Sequence, residues 1–174
     1  MARLLGFNIT INTNTMTSAA SPFRILLAED NPPDVKLMLE AIKRTGMAEK
    51  AEVEFTYSGE NVIELLNKAQ ETGNNFHILL LDLNMPRIGG KEILEIIKAD
   101  KAYDELKVFV FTNSDSSEDM DECRRLGADA FFQKPYDFKR LLDFFTSLNE
   151  AMEFCHCISI PLVNSRYAEL NNAA

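Results

Sequence analysis

The apolar run Ile78 to Leu81 closes on a single carboxylate, Asp82, and a turn follows at once through Asn84, Met85 and Pro86. An unbroken apolar run bounded by a turn signal reads as a strand buried on both faces, and such strands belong mostly to parallel sheets. Asp82 then stands at the carboxyl end of a central strand. In open α/β sheets that edge is where ligands bind. The chain is therefore constrained twice, in its fold class and in where its chemistry lies.

The flanking sequence supplies the rest of such a sheet. Arg24 to Ala28 reads as a buried first strand that ends in two adjacent acids, Glu29 and Asp30. Asn31 and Pro32 then supply an N-cap and a first-turn proline, and Val35, Met38, Leu39 and Ile42 form the apolar stripe of a helix ending near Gly46. Glu52 to Thr56 alternates, as a strand nearer the sheet edge does. A second helix carries Val62, Leu65, Leu66 and Ala69 and closes at Gly73. After Asp82, Gly89 and Gly90 lead into a helix with Ile93, Leu94 and Ile97, and Lys107 to Thr112 is a fourth strand. Ser116 with Asp119 resembles a capping box for a helix running to Gly127. Ala130 to Gln133 is a short fifth strand ending at Lys134 and Pro135, and Phe138, Leu141, Leu142, Phe145, Leu148 and Met152 mark the last helix. Five strands alternating with five helices predict a doubly wound parallel sheet with helices on both faces, joined by right-handed crossovers.

With 174 residues the chain holds one domain and a margin. Residues 1–22, rich in Asn, Thr, Ser and Ala, read as a flexible tail, with Met16 an alternative start. Residues 23–152 form the domain, and 153–174 an extension in which the weakly alternating Cys155 to Pro161 suits an extra strand or interface segment. A formal net charge of -9 argues against nucleic acid and anionic membranes as partners. Three cysteines, Cys123, Cys155 and Cys157, are too few and too unevenly spaced for a disulfide scaffold. No apolar segment approaches the roughly 18 to 20 residues that span a bilayer. A cytoplasmic protein is expected.

The strand ends bring together Glu29, Asp30, Asp82, Thr112 and Lys134. Each alone reads as a solvated terminus; together they do not. Carboxylates so close repel one another, and either one keeps a proton or a cation sits among them. Hard oxygen donors without His or Cys favour Mg²⁺. A carboxylate is also a nucleophile toward phosphorus, and that reaction needs metal and cation charge together with a hydrogen-bond donor. Asp82 is then the candidate nucleophile, Glu29 and Asp30 metal ligands, Lys134 the cation and the Thr112 hydroxyl the donor.

The segments ILLAEDN, LLLDLNMPRIGG, VFVFTNSD and GADAFFQKP, in this order, resemble the receiver domain of two-component response regulators over about residues 23 to 152. The EDNPPDV opening and the tail containing Pro161 are most similar to the single-domain regulators of phytochrome-type histidine kinases. The resemblance implies a flavodoxin-like fold with strand order 2-1-3-4-5. It implies a sensor histidine kinase as partner, whose phosphohistidine donates to Asp82, and a backbone carbonyl of Asn84 offered to the metal. Thr112 and Phe131 fall at the switch positions, Asn84 and Ser114 at those that tune water access, and the Lys134-Pro135 bond is typically cis in the family. Glu29 replaces the more usual Asp, and Phe131 lacks a hydroxyl.

The extension is too short for an output domain, so output is expected through contacts with a downstream protein, with a homodimer formed by the face of the fourth helix, fifth strand and fifth helix or by the tail. No separate substrate turnover is expected. Two other readings compete. An aspartyl-nucleophile phosphatase would want an acid two residues past Asp82, where Asn84 stands, and a phosphorylation-independent interaction module would have no need of all five polar groups. His77 reads as a strand-end residue. Cys155, His156 and Cys157 lie too close in sequence to wrap one tetrahedral ion.

Overall fold

The computed structural model describes residues 2–4, 7–11, 23–153 and 158–159, with side chains described over 23–152. Its main sheet has five strands: β1 (Phe23–Ala28), β2 (Ala51–Thr56), β3 (Ile78–Leu81), β4 (Lys107–Thr112) and β5 (Ala130–Gln133). Between and after them run α1 (Pro32–Arg44), α2 (Gly59–Thr72), α3 (Gly90–Ala99), α4 (Ser117–Arg125) and α5 (Phe138–Glu153). All four strand pairings are parallel and the spatial order is β2-β1-β3-β4-β5, which is the expected 2-1-3-4-5.

The period of two along each strand divides the interior into two cores. Ile25, Leu27, Ile78, Leu80, Phe109 and Phe111 face one side, where they meet Met38, Ala41 and Ile42 of α1 and Leu141, Phe145 and Leu148 of α5. Leu26, Leu79, Leu81, Val108 and Val110 face the other, against Val62 and Leu66 of α2, Ile93, Leu94 and Ile97 of α3 and Cys123 of α4. Every residue of β3 is buried, and that is why its sequence shows no alternation. β2, at the sheet edge, alternates less cleanly than expected. Phe55 is exposed and packs edge-on against Tyr57, while Glu52 and Glu54 turn to the buried Arg24 guanidinium.

Two helix starts differ in detail from the sequence reading. Asn31 is the N-cap of α1, yet its side chain makes no capping bond; Pro32 and Pro33 have already removed two of the N–H groups a cap would serve. At α4 the Ser116 Oγ accepts from the Asp119 N–H at 3.3 Å, one half of a capping box. The other half is diverted: the Ser116 N–H donates to Ser114 Oγ, and the Asp119 carboxylate accepts from the Ser114 hydroxyl.

Outside the main sheet, Ala2–Leu4 pairs antiparallel with Phe7–Ile11, and Thr10 and Ile11 of the latter pair with Ser159 and Ile158. The remaining residues of the two terminal segments, Cys155, His156 and Cys157 among them, lie outside the described residues. No helix among the described residues is long and apolar enough to cross a membrane.

Leu80, 1% exposed at the centre of the sheet, measures how much this layering contributes. Leu80→Ala is expected to lower unfolding free energy by about 2 to 5 kcal/mol, read from the urea midpoint at unchanged slope.

Candidate functional site

Three backbone hydrogen bonds continue the sheet ladder just beyond the strand ends. The Asp82 N–H donates to the Ala28 carbonyl at 2.9 Å, the Glu29 N–H to Thr56 at 3.0 Å and the Lys134 N–H to Thr112 at 2.7 Å. The candidate site residues are thereby tied to the register of the apolar strands rather than left on loose loops. The turn after Asp82 is pinned as well, because Leu83 and Met85 are buried on either side of the exposed Asn84. Gly90 closes the arrangement from below: a Cβ there would run into the Asp82 carbonyl, so α3 can start where it does only with glycine at this position.

Lys134 is the hub of the side chains. Its Nζ donates to Asp82 Oδ2 at 2.8 Å, pairs closely with Glu29 Oε2 and lies 3.4 Å from Asp34 Oδ2. Lys134, Asp82 and Glu29 are 6%, 3% and 1% exposed, so these charges are exchanged with one another rather than with water. The remaining oxygens also have donors: Asn84 N–H reaches Asp82 Oδ1 at 3.2 Å and Asn31 N–H reaches Glu29 Oε1 at 3.3 Å. Burial pushes the Glu29 carboxyl up to about 7, against the opposing pull of Lys134. For Lys134 burial acts downward, but its bonds to Asp82 and Glu29 outweigh it and the ammonium is held above its ordinary range.

Carboxylate oxygens of Glu29, Asp30 and Asp82 lie within 4.8 Å of one another, with Asp30 open to solvent. Three hard oxygen donors, one at the mouth and two inside, suit a divalent cation that keeps part of its water shell.

Thr112 is wholly buried, and its Oγ1 accepts from the Ser114 N–H at 3.3 Å. Ser114 in turn is bonded to Asp119, which pairs with Lys91 of α3 at 2.7 Å. Phe131 is half-buried against the second core, opposite Val110 in the ladder. The structure departs from the resemblance at one bond: no described peptide is cis, so Lys134-Pro135 is trans. Trans is the lower-energy isomer for X–Pro, and Lys134 reaches its carboxylates from it without help. His77 is a strand-end residue, its Nδ1 accepting from the Arg24 N–H at 3.1 Å and its ring stacked on Phe23.

Sequence reasoning missed Asp34 and Lys91. Asp34 carried a usable signal, an acid in the first turn of the helix that leaves the acid pair. Lys91 carried none, because its partners on α4 are brought to it only by the fold.

Comparison with known proteins places this geometry. The response regulator receiver domain matches residues 25–146. The chain is 28% identical over 132 residues to the probable methanogenesis regulatory protein FilR2 of Methanothrix harundinacea, covering 75% of this chain and 84% of that protein. Among solved structures, the phosphorylated cyanobacterial phytochrome response regulator RcpA superposes with a TM-score of 0.70 at 25% identity, covering 80% of this chain and 99% of that one. The bacteriophytochrome response regulator AtBRR gives 0.63 at 28% identity, covering 84% and 100%.

A cation held by the Glu29, Asp30 and Asp82 carboxylates would compete with a proton for Glu29. Because its carboxyl is raised to about 7, Mg²⁺ affinity measured calorimetrically should climb from pH 6 to 8 and level off above. Without a cation, the folded state holds a proton that the unfolded state releases, so stability should fall as pH rises from 4.5 to about 7.

Proposed function

The chain belongs to the response regulator receiver domain family, and from that premise we propose that it is a single-domain response regulator of a two-component phosphorelay, accepting a phosphoryl group on Asp82. The observation that carries this reading is the position of Asp82 itself. It is a carboxylate 3% exposed, fixed at the end of a fully buried strand, with a lysine at 2.8 Å and two further carboxylates beside it.

The donor in this reading is a phosphohistidine of a sensor histidine kinase. An Asp82 carboxylate oxygen attacks phosphorus, the P–N bond breaks with its electron pair returning to the imidazole, and a P–O bond to Asp82 forms. Lys134 supplies positive charge to the phosphoryl oxygens, and the Thr112 hydroxyl donates to one of them. Glu29, Asp30, Asp82 and the Asn84 carbonyl would hold Mg²⁺, which neutralises phosphoryl charge when bound. Ser114 and Asn84, flanking the acceptor, tune the access of hydrolytic water.

Signalling follows from a two-state element biased by the new charge. Thr112, whose Oγ1 accepts from the Ser114 N–H and keeps its own proton to donate, moves toward the phosphoryl group, and Phe131 turns inward behind it. The readout is made by protein contacts on α4, β5 and α5, where Tyr136 stands 82% exposed, and by a homodimer formed through that face or the C-terminal extension. The similarity to RcpA and AtBRR, which their names tie to phytochromes, supports a kinase of phytochrome type and a cytoplasmic site of action. Turnover of an external phosphate ester is not expected, because the position two residues past Asp82 is Asn84.

Incubation with a phosphorylated histidine kinase, or with a small phosphodonor and Mg²⁺, should add one phosphoryl group to the intact mass. Asp82→Asn should abolish the gain and leave the urea transition cooperative. A wild type without added mass, or equal labelling of Asp82→Asn, would reject the reading.

A further inference from the structure

Lys134 has three N–H donors and three carboxylates around it. Two of these, Asp82 and Glu29, have side chains only 4% and 2% exposed. The third, Asp34, has a side chain 27% exposed and sits on the solvent side of the ammonium, its Oδ2 at 3.4 Å from Nζ. No role follows for it from the phosphoacceptor, the metal ligands or the switch.

Asp34 is held in this place by its helix. Val35, Met38, Ala41 and Ile42 lock α1 onto the sheet, and Pro32 and Pro33 stiffen the turn that enters it. The Val35 N–H donates to the Asn31 carbonyl at 3.1 Å, so the first turn is closed directly over the acid pair. A carboxylate in this turn also faces the positive end of the helix dipole. The Asp34 backbone is thus fixed beside Lys134.

We propose that Asp34 is a positioning residue for Lys134, holding the solvent-side donor of the ammonium in the resting protein and yielding it to the phosphoryl group. This inference rests on the reading of Asp82 as phosphoryl acceptor. Donors are anions and approach from the solvent side, where they meet Asp34 beside Lys134 as well as the exposed Asp30. They must overcome the charge of Asp34 and take from it a lysine N–H, and both demands slow the transfer. Asn at this position keeps an acceptor of the same shape for Lys134 and removes the charge. Glu keeps the charge.

The test compares wild type, Asp34→Asn, Asp34→Glu and Asp121→Asn in labelling by phosphoramidate at saturating Mg²⁺, followed by intact mass. In that reaction the donor P–N bond breaks, ammonia departs after taking a proton, and the new P–O bond is on Asp82. Asp121, exposed on α4 and paired with Arg124, serves as the control for loss of one negative charge. Asp34→Asn should label faster by on the order of three- to ten-fold. Asp34→Glu and Asp121→Asn should stay within about two-fold of wild type, since distant exposed charges are screened. Urea transitions recorded on all four proteins establish that each is folded. An Asp34→Asn rate equal to or below wild type, or matched by Asp121→Asn or Asp34→Glu, would overturn the inference. A wild type that takes up no phosphoryl group would instead remove the functional reading on which it stands.

Discussion

The structure turns on one buried ammonium. Lys134 is drawn into the interior by the short strand before it, and there it is the common partner of Asp82 and Glu29, with Asp34 at its outer side. Ion pairs this deep seldom add much net stability, because desolvation offsets the attraction, but removing one partner leaves the others uncompensated at a cost of about 3 to 5 kcal/mol. The pocket therefore stores electrostatic imbalance rather than stability: more carboxylates than cations, one of them raised to about 7 by burial. Added positive charge, or a rearrangement that redistributes the lysine's hydrogen bonds, moves this balance directly.

The sheet makes that imbalance possible. Hydrogen bonds from Asp82, Glu29 and Lys134 into neighbouring strands anchor the charged residues to a framework whose two faces are closed by separate cores. Close packing beneath the site, with Gly90 against the Asp82 carbonyl, leaves the backbone little room to yield. From Thr112 a polar chain passes through Ser114 and Asp119 to Lys91, which also pairs with Glu122. Its members are partly exposed apart from Thr112, and they connect the loop after β4 to the first turn of α3.

Much of this was legible in the residues. The central stretches of strands buried on both faces are apolar, so Asp82, Glu29, Asp30, Thr112 and Lys134 announce the strand ends by being polar. Local sequence was less informative where the competing interaction lies far along the chain. Asp34 reads as an ordinary first-turn acid because helix dipoles favour one there, and its lysine is 100 residues away. Asp119 reads as half of a capping box, but Lys91 and Ser114 claim its carboxylate. The trans Lys134-Pro135 bond differs from what the family resemblance implies, and local sequence does not decide between isomers so close in energy.

The most direct test of the account is chemical mapping of the phosphorylated residue. After labelling with a phosphodonor and Mg²⁺, borohydride reduction of the acyl phosphate and peptide sequencing by mass spectrometry should find the modification at Asp82 alone, in the peptide containing Leu83 and Asn84. Reduction at Glu29, Asp30 or Asp34, or a phosphoryl group that resists borohydride, would contradict it.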